Sequence, residues 1–285
     1  MHRRGMLALS VGVLAFVLGA CDRKAGPKPV QAGGPRIAVL SPALAATLHD
    51  LGVGPAIVGR HAWDLVLEPS IPVVGDGVGE VDYERLVGVN PTLILGQFGA
   101  GGMPARLVEM ASARGWTLRD HNPLSLGDVL AVARLLAADA EAAGCVGVRE
   151  RLAEVETALA ASLRARPDAT GAGRILLLAD VSPMAALGPG SVHHDILVSL
   201  GATPAIVTGA AYITLDAEDL RRIAPDAVML IVPRARGAAP TTAPELPGLK
   251  GVRTVLIDDP LTHLTATTIR ATAKAMVTAI ERWAK

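Results

Sequence analysis

The sequence predicts an α/β protein built as two similar parallel-sheet lobes joined by one long helix, with a ligand cleft between the lobes. Three observations predict it. Short apolar runs alternate with amphipathic stretches of helical period, the pattern of strands linked by helices into parallel sheets. Two segments recur in the same order. Leu51-Gly52-Val53-Gly54-Pro55-Ala56-Ile57-Val58 matches Leu200-Gly201-Ala202-Thr203-Pro204-Ala205-Ile206-Val207, and Asp82, Glu84, Leu86 and Pro91 align without a gap with Asp216, Glu218, Leu220 and Pro225. Between the matched halves, Gly144 to Pro167 carries Val148, Leu152, Val155, Leu159 and Leu163 three or four residues apart, on one helical face. Glu150, Arg151, Glu154, Glu156, Arg164 and Arg166 cover the other sides, and Pro167 stops the helix. At 1.5 Å per residue a helix of that length spans ~30 Å, the width of a small domain.

The chain of 285 residues is 51% hydrophobic and 19% charged, with a formal net charge of zero. That composition builds a real core and excludes disorder. The charge balance gives no basic surface for nucleic acid and no strongly acidic one for a cationic partner. With aromatic residues at only 2%, each one outside the leader counts as a candidate for function.

The N-terminus reads as an export signal over residues 1–20. Met1-His2-Arg3-Arg4 is basic, and Met6 to Ala20 is apolar and short for a membrane span. Leu18-Gly19-Ala20-Cys21 resembles a bacterial lipobox, which implies lipidation of Cys21 and a membrane anchor. In enteric bacteria Asp22 in the next position favours the inner membrane. Residues 21–35, polar and rich in Gly and Pro, read as a flexible tether. Cys145 is then left without a disulfide partner and reads as a small buried or helix-start residue.

Residues 36–143 form the expected first lobe. Arg36 to Leu40 suits a buried parallel strand, and Ser41-Pro42 opens a helix that Gly52 closes. Ala56 to Val58 is a second strand, followed by the loop of His61, Trp63 and Asp64. Pro72 to Val74 is a short strand, Asp82 caps a helix, and Thr92 to Leu95 is a strand ending before Gln97 and Phe98. Met103 to Arg114 is helical, Trp116 to Arg119 is a strand, and Ser125 with Asp128 forms a capping pair for a helix to Ala143.

After the linking helix of 144–167, residues 168–285 repeat the pattern. Strands are expected at Arg174 to Leu178, Ala205 to Val207, Asp226 to Val232 and Val252 to Ile257. Helices are expected at Val192 to Leu200, up to Ile223 with Asp216 as its cap, and at Thr265 to Trp283.

Several of these segments resemble the periplasmic substrate-binding proteins of ABC importers for vitamin B12, heme and iron-siderophores. The likeness rests on the lipobox, on Arg36 to Pro42 with its helix ending Leu51-Gly52, and on Ile57-Val58-Gly59. It also rests on Val81-Asp82-Tyr83-Glu84-Arg85-Leu86 leading to Asn90-Pro91-Thr92-Leu93-Ile94, where Thr92 stands in place of the family's usual Asp. The resemblance spans about residues 36 to 283. It implies two lobes bridged by one helix with small opening and closing, a small-molecule ligand, a permease partner, and no reaction or cofactor. Trp63 stands where the B12 binders have an aromatic after the second strand, and Asp258-Asp259 where they have an Asp near the ligand. Gln97, with Phe98 beside it, replaces an aromatic after the fourth strand. Ser182 to Ala186 lacks the aromatic that some members carry there, and Ala46 stands where the B12 binders carry a Glu.

In parallel sheets ligands sit beyond the carboxyl ends of the strands. The expected ligand contacts are therefore Ser41, His61, Trp63, Gln97, Phe98, Met184, Tyr212, Arg234, Asp259 and His263, with Asp64, His121 and Arg236 also at the rim. Aromatic rings stack on planar ligands, and arginines pair with carboxylates. The histidines raise a second possibility. His61, His121, His193 or His194, and His263 or an Asp are the ligand types of zinc and manganese import proteins. A hydrolase reading from Ser191, His193 and Asp195 is distant: neighbours on one helical turn do not make a relay, and no G-x-S-x-G is present.

Overall fold

A computed structural model describes residues 33–76, 80–234, 246 and 248–285. The expected leader, Cys21 and most of the tether fall outside these residues, as do Arg236 and the glycine-rich turn at 77–79.

In the first lobe β1 (Ile37–Val39) is wholly buried. Ser41 caps α1 (Pro42–Asp50) by accepting from the Leu44 N–H, and Pro42 fills the first turn, where no amide hydrogen is missed. Next come β2 (Ile57–His61) and β3 (Val73–Gly75). Asp82 caps α2 (Tyr83–Val89) through the Arg85 N–H. Then come β4 (Leu93–Gly96), α3 (Ala105–Arg114) and β5 (Thr117–Asp120). The five strands are all parallel, in the order β3-β2-β1-β4-β5.

The link between the lobes departs from the single long helix. Ser125 and Asp128 close a capping box on α4 (Leu126–Ala142), as their spacing predicted. Gly144 (φ +99°) and Gly147 (φ +74°) then turn the chain through the left-handed region open to glycine. The linking helix α5 runs only over Val148–Ser162, a length of ~22 Å at 1.5 Å per residue. The shortfall is shared with α4, which packs beside it. Val129 of α4 belongs to the core of the second lobe, while Leu136 and Ala140 belong to the first. Likewise Val148 of α5 sits in the first core and Leu159 in the second. Two adjacent helices therefore span both lobes.

The second lobe opens with β6 (Arg174–Val181), β7 (Met184–Leu187), α6 (Val192–Ser199) and β8 (Thr203–Pro204). It continues through β9 (Tyr212–Thr214), α7 (Ala217–Ile223), β10 (Ala227–Ile231), β11 (Arg253–Ile257) and α8 (Arg270–Trp283). Its strand order is β11-β10-β6-β7-β9, with β8 also on β6.

This sheet is mixed rather than parallel. The two-residue turn Ser182–Pro183 joins β6 directly to β7, and so short a connection allows only antiparallel pairing. β9 is antiparallel to β7 in turn. The expected strand at Ala205 to Val207 does not form: pairing is confined to Thr203–Pro204 just before it, because β8 and β7 share one edge of β6. β8 takes Arg174 and Ile175, and β7 takes Leu178 to Val181.

The repeat survives in the helix that follows. α2 and α7 end on Asn90 (φ +40°) and Ala224 (φ +42°), at equivalent places ahead of Pro91 and Pro225. The lobes also touch directly. Ala43 and Ala46 of α1 pack against Ala266, with Val66 and Leu264 at the edge of the cluster. Ala46, compared from sequence with a family glutamate, is thus fully buried between the lobes.

Candidate functional site

The carboxyl ends of β1, β4 and β5 are knitted together. The Ser41 hydroxyl, beyond β1, donates to Gln97 Oε1, beyond β4, at 2.8 Å. The Phe98 N–H donates to Asp120 Oδ1 at the end of β5 (3.0 Å), and the Gly99 N–H donates to Asn122 Oδ1 (2.8 Å). Phe98 itself folds back over β4. A Cβ at Gly96 would lie 2.2 Å from its ring, so only glycine fits there. The ring is half-buried against the Ile94 core, leaving Gln97 as the polar group on this rim.

At the end of β2, His61 is buried, and its Nδ1 accepts the Trp63 N–H at 3.1 Å. The Trp63 ring stands edge-on to the imidazole, centroids 5.2 Å apart, and is 59% exposed. A large apolar ring held by local contacts yet left in water is a surface suited to stacking. Asp64, placed at the rim from sequence, is instead buried. Its carboxylate accepts the Leu67 N–H at 2.9 Å and fixes the loop. His121 turns away toward α4, where its Nε2 meets Asp139 Oδ2 at 2.7 Å.

On the second lobe, Met184 opens β7 beside Val181, the last residue of β6, and is half-buried. Tyr212 corrects an expectation. The register pairs it with Leu187, so Thr214 and not Tyr212 lies toward the Met184 end of the sheet. Tyr212 remains 57% exposed on the edge strand. Arg234 follows β10, and its Nη1 donates to Asp258 Oδ2 at 3.3 Å. Asp259 shapes the turn after β11 by accepting the Leu261 N–H at 2.8 Å.

His263 is exposed, and its Nε2 donates to the Ile231 carbonyl at the end of β10 (2.8 Å), which leaves Nδ1 as its acceptor nitrogen. Its ring stands 5.8 Å from that of His193. His193 is buried and donates Nε2–H to the Thr262 carbonyl at 2.7 Å. Burial drives its pKa down to about 4; the Thr262 hydrogen bond opposes this, and the nearby His263 adds to it.

The structure thus groups Ser41 with Gln97 and Phe98, His61 with Trp63, Arg234 with Asp258, and His263 with His193. Among the described residues no three His, Cys, Asp or Glu side chains gather as a metal ion requires. The Ser191, His193, Asp195 trio is dispersed in the same way. The Ser191 hydroxyl donates to the Gly188 carbonyl, and the Asp195 carboxylate accepts the Leu126 N–H. Sequence reasoning missed that last contact, which joins α4 to α6 across the lobes. It also missed Leu124, 69% exposed in the loop beyond β5, since a leucine signals core. A surface hollow of about 540 Å³, lined by His49, Pro55, Ile57 and Ile71 among others, lies at the opposite end of β2 from His61.

No protein-family model matches the chain, and no curated protein does. Solved structures match over nearly its whole length. The periplasmic heme-binding protein RhuT of Roseiflexus sp. RS-1, in apo form, is 17% identical, with a TM-score of 0.63 over 89% of this chain and 100% of its own. The desferal-bound siderophore-binding protein FhuD of Vibrio cholerae is 15% identical, with a TM-score of 0.59 over 89% and 100%. The vitamin B12-binding protein BtuF of Vibrio cholerae is 15% identical, with a TM-score of 0.53 over 88% and 98%. The chain has the two-lobe α/β fold of these periplasmic binding proteins.

Proposed function

We propose that this chain is the solute-binding component of an ABC import system, capturing an iron-siderophore, cobalamin or heme-like ligand between its lobes and delivering it to a permease. The observation that carries the reading is the position of Trp63, Gln97, Met184, Arg234 and His263 at or just beyond strand ends in both lobes, in the fold that the heme, siderophore and B12 binders share. Trp63 offers a stacking face, Gln97 a hydrogen-bonding amide steadied by Ser41, Arg234 a cation for ligand carboxylates, and His263 an imidazole acceptor. His61, Phe98 and Asp259 complete the proposed surface, more as supports than as direct contacts. No bond is made or broken. Ligand binding shifts the populations of slightly different lobe arrangements. Lipidated Cys21 holds the protein at the periplasmic face of a membrane, the inner one by its Asp22, and the tether lets the lobes reach the permease.

Absorption titration of the full chain tests the ligand class. Hemin, cobalamin and ferric desferrioxamine are added separately, and one of them is expected to give a saturable spectral change at one equivalent. No change with any of the three would overturn the reading.

A further inference from the structure

The lobes are joined a second time, away from α4 and α5. Asp50 is the last residue of α1 in the first lobe, and Arg270 is the first residue of α8 in the second. Each charge stands at the helix end where the macrodipole disfavours it, an acid at a carboxyl end and a cation at an amino end. Nothing in its own helix explains either one, and their meeting does.

Asp50 is 8% exposed, and the Arg270 side chain keeps 36% of its surface in water. The Asp50 carboxylate accepts from both Arg270 Nη atoms, at 2.5 and 2.9 Å, and from the Thr267 hydroxyl at 2.6 Å. Arg270 Nη1 also donates to the Thr267 carbonyl at 3.2 Å. The pair is two-pronged and charge-assisted, the strongest geometry open to these groups. Beside it the seam is apolar, formed by the buried Ala43, Ala46 and Ala266. Moving one lobe against the other would strip a buried carboxylate of its donors, and breaking such a pair is far costlier than losing an exposed one.

We propose that Asp50, Thr267 and Arg270 form a clamp that holds the two lobes at one angle in the absence of ligand, so that the cleft is preformed. The consequence is that little binding energy is spent on closing the protein, because the lobe arrangements that the ligand shifts between differ only slightly. The clamp does not depend on which ligand the cleft takes, and its test needs none.

The experiment is an electron-spin distance measurement on the full chain, with Cys21→Ala and Cys145→Ser and labels at Glu109→Cys on α3 and Arg221→Cys on α7. Both label positions are exposed, one on each lobe. The parent is expected to give one narrow distance distribution, and Asp50→Asn one at least twice as wide. Where Asp50→Asn does not fold, the apolar pair Asp50→Leu with Arg270→Met leaves no buried charge and is expected to fold and to widen the distribution likewise. A parent distribution that is already broad overturns the clamp. So does an unchanged distribution in a folded variant, and so does loss of folding in both variants, which would assign the trio to stability alone.

Discussion

The Ser41 hydroxyl does two things at once: it accepts the Leu44 N–H as the cap of α1, and it donates to Gln97 Oε1 at 2.8 Å. The start of the first helix and the Gln97 side chain beyond β4 therefore hang on one buried oxygen. Ser41→Ala removes the cap and frees Gln97, and is expected to cost about 1–2 kcal/mol. Urea unfolding checks this. Gln97→Ala keeps the cap and is expected to cost clearly less.

Trp63 is exposed, so it contributes little to the core. Trp63→Ala is expected to leave the unfolding midpoint within experimental error while weakening ligand affinity, since an aromatic stacking contact is worth about 0.5–1.5 kcal/mol beyond its buried area. Titration of parent and variant with whichever of the three ligands binds gives the comparison. Equal affinity in the two would remove Trp63 from the site.

His193 makes stability depend on pH. The folded chain holds its proton only below about pH 4, whereas an unfolded chain takes one up near 6.5. A depressed folded-state pKa means that the contribution is complete above pH 6.5 and is lost as the pH falls toward 4. Integrated over that window it amounts to about 3 kcal/mol. Unfolding of the parent and of His193→Gln at pH 7 and pH 4.5 isolates it. The parent is expected to lose about 2–3 kcal/mol more than the variant between the two pH values.

Ala224 adopts φ +42° at the end of α7, a conformation that strains a residue with a Cβ. Ala224→Gly is expected to stabilise the fold by about 1 kcal/mol, visible as a higher melting temperature. Asn90, at the matching end of α2, tolerates the same conformation, and its Oδ1 accepts the Trp116 Nε1–H at 3.3 Å. Asn90→Gly loses that bond and is expected to give no gain.

The helix starts were legible because capping is local. Ser41, Asp82, Ser125 and Asp216 each accept backbone N–H groups within three residues, so residue type and immediate neighbours are enough to mark them. The two halves were legible because the repeat covers whole helix-and-strand units. The mixed second sheet was not. That β7 and β8 divide one edge of β6 is a matter of pairing between distant segments, and the apolar run at Ala205 to Val207 carries no sign of it. Nor could the sequence tell that Asp64 and His121 are spent on loop and helix contacts while Trp63 stays in water.

By itself, then, the amino-acid order determined the α/β alternation, the doubled architecture, the caps and the candidate loops, since each rests on periodicity or on contacts a few residues long. The tertiary structure alone decided which candidate residues are buried and which stay exposed, that α4 shares the linking role with α5, and that Asp50 meets Arg270 across the lobes. Those outcomes depend on buried partners far apart in the chain, whose pairing follows from how the sheets and helices pack and not from any local preference.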